Sequence, residues 1–155
     1  MSNYAWGARN WVRATKESTY GQYDAAGDSA WFRLTGDTAF SMQALPEHYE
    51  IESADAGAEL IEFESELIRV KGGLNTPLYP SQSLFLLDAA LKLSTIGNTK
   101  TLDSYTFDHF DGLEVKRYRG ARCQSFNLGC SADNPALMVQ SQWVAKDYVD
   151  LPLAD

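Results

Sequence analysis

Histidine and cysteine are scarce in this chain, and that scarcity removes most metal and nucleophilic chemistry at the outset. Two of each occur in 155 residues. Cys123 and Cys130 have no histidine nearby, and their spacing matches no zinc pattern, so both are expected as reduced, partly buried thiols. The densest run of possible ligands is Asp108-His109-Phe110-Asp111. On a strand Asp108 and His109 point to opposite faces, and Asp111 falls in a turn, so the three do not converge. The run also lacks the alternating oxygen ligands of a calcium loop. There is no nucleophile elbow, and Gly72-Gly73 precedes an extended segment rather than opening a phosphate-binding helix. No catalytic residue, cofactor or metal is therefore expected. An acid/base pair among the glutamates would be chemistry of the glycosidase kind, but those residues cluster on one strand face, as a solvated acidic surface does.

Long apolar runs are missing too. The greasiest stretch, Leu84 to Leu93, is broken by Asp88 and Lys92, whereas a spanning helix needs about 20 apolar residues. The N-terminus carries no basic head followed by an apolar stretch, so no secretion signal and no membrane partner are expected.

The third absence is local. No Lys or Arg occurs from Leu34 to Ile68, a window that holds Asp37, Glu47, Glu50, Glu52, Asp55, Glu59, Glu62, Glu64 and Glu66. Basic residues gather at Arg9, Arg13 and Lys16, and at Lys116, Arg117, Arg119 and Arg122. The net charge of -8 argues against a surface that grips nucleic acid by its phosphates. It suits one past which nucleic acid moves without sticking. Segregated signs also suit self-association, with the basic patch of one copy meeting the acidic patch of the next.

What is present is a β pattern in one domain, residues 1–155. Strands are expected over Arg9–Ala14, Trp31–Leu34 (closed by a Gly36-Asp37 turn), Phe40–Leu45, His48–Ser53 and Glu59–Val70, with Pro46 as a bend. If the last two pair about Ala56, Glu50 falls opposite Glu62 and Ile51 opposite Ile61, giving one apolar side and one ladder of carboxylates. Gly72-Gly73 reads as a break and Asn75–Pro80 as a connection. A helix is expected over Ser83–Leu93, capped by Ser81, with Leu84, Leu87 and Leu91 sharing one face, joined by Phe85 and Leu86, and Gly97-Asn98 at its end. Tyr105–Phe110 and Leu113–Tyr118 read as a hairpin about Asp111-Gly112. Arg119-Gly120 then turns into Ala121–Leu128, and Leu137–Ala145 follows a Ser131–Pro135 turn. The sheet should be mainly antiparallel, because the strands come as hairpins.

Four segments carry a family resemblance. Lys16-Glu17-Ser18-Thr19-Tyr20-Gly21 resembles a signature that follows the first strand in tail tube proteins of long-tailed, siphovirus-type bacteriophages. The helix Ser83–Leu93 leading to Tyr105–Phe107 is the second segment, Tyr118–Leu128 the third, and the ending Val144-Ala145-Lys146-Asp147 the fourth. Cys123 stands two places later than the family's usual cysteine, and many relatives are longer. The resemblance implies a β-sandwich or barrel with one flanking α-helix and a long extended hairpin, here Phe40–Val70. It also implies a structural virion protein, made in the host cytoplasm, whose hexameric rings stack into a tube for genome delivery. The partners implied are further copies, the tape measure protein, tail terminator and baseplate proteins, and DNA in transit without specific binding. On that reading Glu50, Glu52, Glu62, Glu64 and Glu66 face the lumen. The competing readings are another tube-related tail component (a distal tail or completion protein), or a β-sandwich carbohydrate-binding or adhesion module whose Trp and Tyr rings would stack on sugars.

Overall fold

The computed structural model describes residues 10–34, 38–51, 61–91, 102–130 and 136–152, with backbone alone for 45–51, 61–69, 81 and 83. Among the described residues eight strands and one helix run in the order β1 (Trp11–Lys16), β2 (Ser29–Arg33), β3 (Ala39–Ile51), β4 (Ile61–Pro77), α1 (Pro80–Leu91), β5 (Tyr105–Phe110), β6 (Val115–Gly129), β7 (Met138–Ala145) and β8 (Asp147–Leu151). Every strand pairing is antiparallel. The expected turns at Gly36-Asp37, Asp55-Gly57, Gly97-Asn98 and Ser131–Pro135, and the side of Glu52, lie outside the described residues.

Two sheets share β6. Its first part pairs with β5 and β8, in the order β2-β1-β5-β6-β8, and its second part, from Arg122, pairs with β7, in the order β6-β7-β4-β3. β7 and β8 run along the same side of β6, and both partners bend where Gly120 meets Lys146. Strands that switch sheets through a bulge make the corner of an open sandwich. Arg119-Gly120 is thus not a turn between two strands, as the sequence suggests. It is a bulge within one strand, where the pairing moves from Phe107↔Tyr118 to Tyr105↔Ala121.

Alternation fills the space between the sheets. Val12, Ala14, Phe32, Tyr105, Phe107 and Tyr118 point inward from the first sheet, and Met42, Val70, Leu74, Val139 and Trp143 from the second. The aromatic centre is edge-on: Phe107 lies 4.8 Å and Tyr105 5.8 Å from Trp143, centroid to centroid, a geometry that adds to the burial of the rings.

The helix closes one end, with Phe85 against Tyr105. It starts at Pro80, not beyond Ser81, which suits a residue whose fixed φ and missing N–H fit the first helical position. Its inner face is Leu86 and Ala89, each 1% exposed, while Leu84 and Leu91 are 70% and 61% exposed. Of the apolar residues expected to share a face, Leu86 packs inward while Leu84 and Leu91 face solvent.

Two further readings change. The hairpin between β5 and β6 has a four-residue loop, 111–114, because Asp111 accepts hydrogen bonds from the N–H groups of Leu113 and Glu114. These hold its carboxyl below the usual range. Gly72-Gly73 does not break β4, which runs through to Pro77. A Cβ on Gly72 would stand 1.7 Å from the Ser41 carbonyl oxygen and 2.5 Å from Met42 Cα. Gly72→Ala must push β3 and β4 apart, and an unfolding free energy lowered by about 3 kcal/mol in urea titration is the expected result.

Candidate assembly interface

The Lys16–Gly21 segment leaves β1 and wraps the corner of β6. Glu17, 7% exposed, accepts hydrogen bonds from Gly21 N at 2.8 Å, from Gly120 N at 2.8 Å and from Thr106 Oγ1 at 2.6 Å. Gly21 and Gly120 both take positive φ, +73° and +66°, a backbone that lets their N–H groups turn toward one carboxylate at little steric cost. Lys146 N donates to Arg119 O at 2.9 Å and fastens the bend of β7–β8 to that of β6. Lys16 reaches Asp103 at 2.7 Å and Asp88 of α1 at 3.4 Å, and the bond to Asp103 is the main reason its pKa is raised. The four sequence signatures are thus brought to one corner of the fold, three of them bonded to Glu17 and the fourth through the Lys146–Arg119 backbone bond.

A second buried charge lies on the outer face of the first sheet. Asp108 is 2% exposed and binds Arg117 Nε at 2.6 Å and Arg117 NH2 at 3.1 Å, with Arg13 on its other side. Tyr23 covers them: its hydroxyl accepts from Arg13 at 2.8 Å, and its ring lies 3.7 Å from the Arg117 guanidinium carbon. The bond to Asp108 raises the Arg117 pKa. Asp108, which the sequence sets apart from His109 and Asp111, is the centre of an ion triad. Its Arg13 and Arg117 were visible in the sequence only as part of a basic cluster.

His109 is half-buried against Phe40, 5.0 Å between rings, and burial lowers its pKa from the ordinary 6.5. Among the described residues no three His, Cys, Asp or Glu side chains gather where an ion would fit. Cys123 is buried, which pushes its thiol up to about 11, and Cys130 is exposed; both are free. Trp31 is 52% exposed and rests 4.9 Å from Trp11, so this pair lies on the outer side of the sandwich.

The second sheet has two free edges. No other strand pairs with the outer side of β3, or with that of β6 from Arg122 to Gly129, among the described residues. Past Val70, β4 pairs with β3 alone, so the hairpin continues from the sandwich as a two-stranded ribbon. Its register places Glu50 opposite Glu62, Ile51 opposite Ile61 and His48 opposite Glu64, with an irregularity between Pro46 and His48. Glu66 lies in β4 within that irregularity.

The solvent face of this sheet is amide-rich. Ala39, Ser41, Gly73, Asn75, Gln140 and Gln142 line an open groove of about 250 Å³. No aromatic ring is among its lining residues, so it offers no platform on which a sugar would stack.

No family model matches the chain, and no curated protein matches it. By structure it is similar to a chain in the cryo-EM structure of the anti-feeding prophage baseplate, six-fold symmetrised, with a TM-score of 0.53 and 11% identity over 100% of both chains. It is also similar to a chain of the PVC sheath-tube complex of an extracellular contractile injection system in the extended state. There the TM-score is 0.50 and the identity 7%, over 92% of this chain and 88% of that one. These likenesses are of fold.

Proposed function

We propose that this chain is a structural subunit of a phage-type tail that closes into rings, of six copies on the family resemblance, and stacks them into a tube for genome passage. One observation carries the reading: among the described residues the second sheet is open at both edges, and its two edge strands run in opposite directions. The β3 edge of one copy therefore meets the β6 edge of the next as an antiparallel neighbour. Repeating that head-to-tail contact closes a ring and removes both edges. A ribbon of two strands is marginal alone in water, and neighbouring copies would supply what the other described residues do not.

The folds shared with a baseplate chain and a sheath-tube chain support a place in a tail. Both come from contractile systems, so the proposal covers tubes of that kind as well as those of siphoviruses. Terminator, baseplate and tape measure proteins are the partners such a tube would meet in the virion. Those carboxylates among Glu50, Glu52, Glu62, Glu64 and Glu66 that no neighbouring copy engages would line the lumen and keep DNA from adhering to the wall.

Electron microscopy of the concentrated, purified protein tests this, with rings or tubes as the expected result. A protein that stays monomeric at every concentration would sink the proposal. The full-length likeness to the baseplate chain favours a second reading, in which the rings form one layer at the tail end. Discrete single rings, rather than tubes of variable length, would select it.

A further inference from the structure

Three cations stand together where the ribbon leaves the sandwich. Lys71, Arg122 and Lys146 are exposed, and none forms an ion pair among the described residues. The register Lys71↔Val144↔Arg122 sets Lys71 and Arg122 in one row of the second sheet, about 10 Å apart at ordinary strand spacing. Arg122 and Lys146 share the ring of Tyr20, at 4.4 Å and 5.8 Å from its centroid. Glu17 fixes the loop that presents this ring through Gly21. The cluster is thus held in place by the corner of the fold.

The ribbon has the opposite problem. Glu50 and Glu62 are register partners across the hairpin, Glu64 follows, and the window from Leu34 to Ile68 contains no Lys or Arg. Like charges at directly opposed positions destabilise a hairpin, and the one Lys or Arg of the ribbon, Arg69 at its base opposite Leu45, lies seven residues from Glu62. The chain's own cluster is out of reach as well. Glu62 lies eight residues beyond Val70, the last β4 residue paired with β7, which is about 26 Å along an extended strand.

We propose that Lys71, Arg122 and Lys146 form the seat for the acidic ribbon of a second copy. The contact is head-to-tail, since seat and ribbon are different parts of the surface, and it rests on the self-assembly proposed above. Charge complementarity of this kind steers encounter and fixes which surfaces meet.

Charge exchange tests it. One variant carries Lys71→Glu, Arg122→Glu and Lys146→Glu; the other carries Glu50→Lys, Glu62→Lys and Glu64→Lys. Assembly is read by sedimentation velocity and negative-stain microscopy, with circular dichroism to check the fold. Each variant alone brings like charges together, and its assembled fraction should fall by about tenfold. An equimolar mixture restores opposite charges at every contact and should recover assembly.

Either variant assembling like the wild type, or a mixture that fails to recover, overturns the seat while leaving the ring proposal standing. A wild type that never assembles overturns both. If the reversed seat does not fold, the neutral set Lys71→Gln, Arg122→Gln and Lys146→Gln replaces it, with weakened assembly expected and unchanged assembly overturning the seat. A gel-shift assay with duplex DNA runs beside these. Loss of DNA binding with assembly intact would reassign the cluster to nucleic acid.

Discussion

Glu17→Ala should lower the unfolding free energy by about 4 kcal/mol, the cost of leaving several buried donors without an acceptor. The carboxylate is the partner of two backbone N–H groups, of Gly21 and Gly120, and of the Thr106 hydroxyl. Both glycines hold positive φ at points where the chain must turn sharply, so their amides cannot swing away to another acceptor. Water reaches this corner poorly, because Lys146 and Tyr20 stand over Gly120 at about the closest approach a Cβ would allow. Glu17→Gln keeps one acceptor oxygen but turns an NH2 toward a donor, and about half the loss is expected for it. Urea titration measures both, and hydrogen exchange supplies the specific readout: the Gly21 and Gly120 amides should lose protection ahead of the strands. A loss below about 1 kcal/mol for the alanine variant would mean that the corner holds without its carboxylate.

That corner shows what the sequence discloses and what it keeps back. Lys16–Gly21 was recognisable as a segment, but nothing local says that Glu17 meets residue 120, because the bond joins positions 103 residues apart. The β3–β4 register was legible, since polar and apolar residues alternate on both arms and a mismatch would exchange their faces. The helix was legible as an element and not in its orientation. Leu84 to Leu87 is an unbroken apolar run, so periodicity gives no single stripe, and contact with the first sheet selects Leu86 and Ala89. Gly120 was seen as a break, because a positive-φ glycine reads alike in a turn and in a bulge. Only the continuation of β7 into β8 alongside β6 tells them apart.

Asp108 is the second residue whose loss should be large, and the direction of the energy matters more than the count of bonds. Burying a carboxylate is costly, so the triad with Arg13 and Arg117 need not be more stable than an apolar substitute of equal volume. Removing one member is a different matter, since the partners keep their charge and lose its compensation. In Asp108→Ala the two guanidiniums would face each other across the space the carboxylate held, beneath the Tyr23 ring. Their side chains are 25% and 18% exposed, so each can reach some water. The expected loss is therefore about 3 kcal/mol, near the lower end for a broken buried pair. Converting all three residues together, with Arg13→Met, Asp108→Leu and Arg117→Met, should restore most of that stability. Thermal unfolding of the two variants decides between the causes. If the triple variant is as unstable as Asp108→Ala, shape and hydrogen bonding at this site matter more than the orphaned charge. If it melts near the wild type, the triad stabilises little, and the two arginines account for the damage in the single variant.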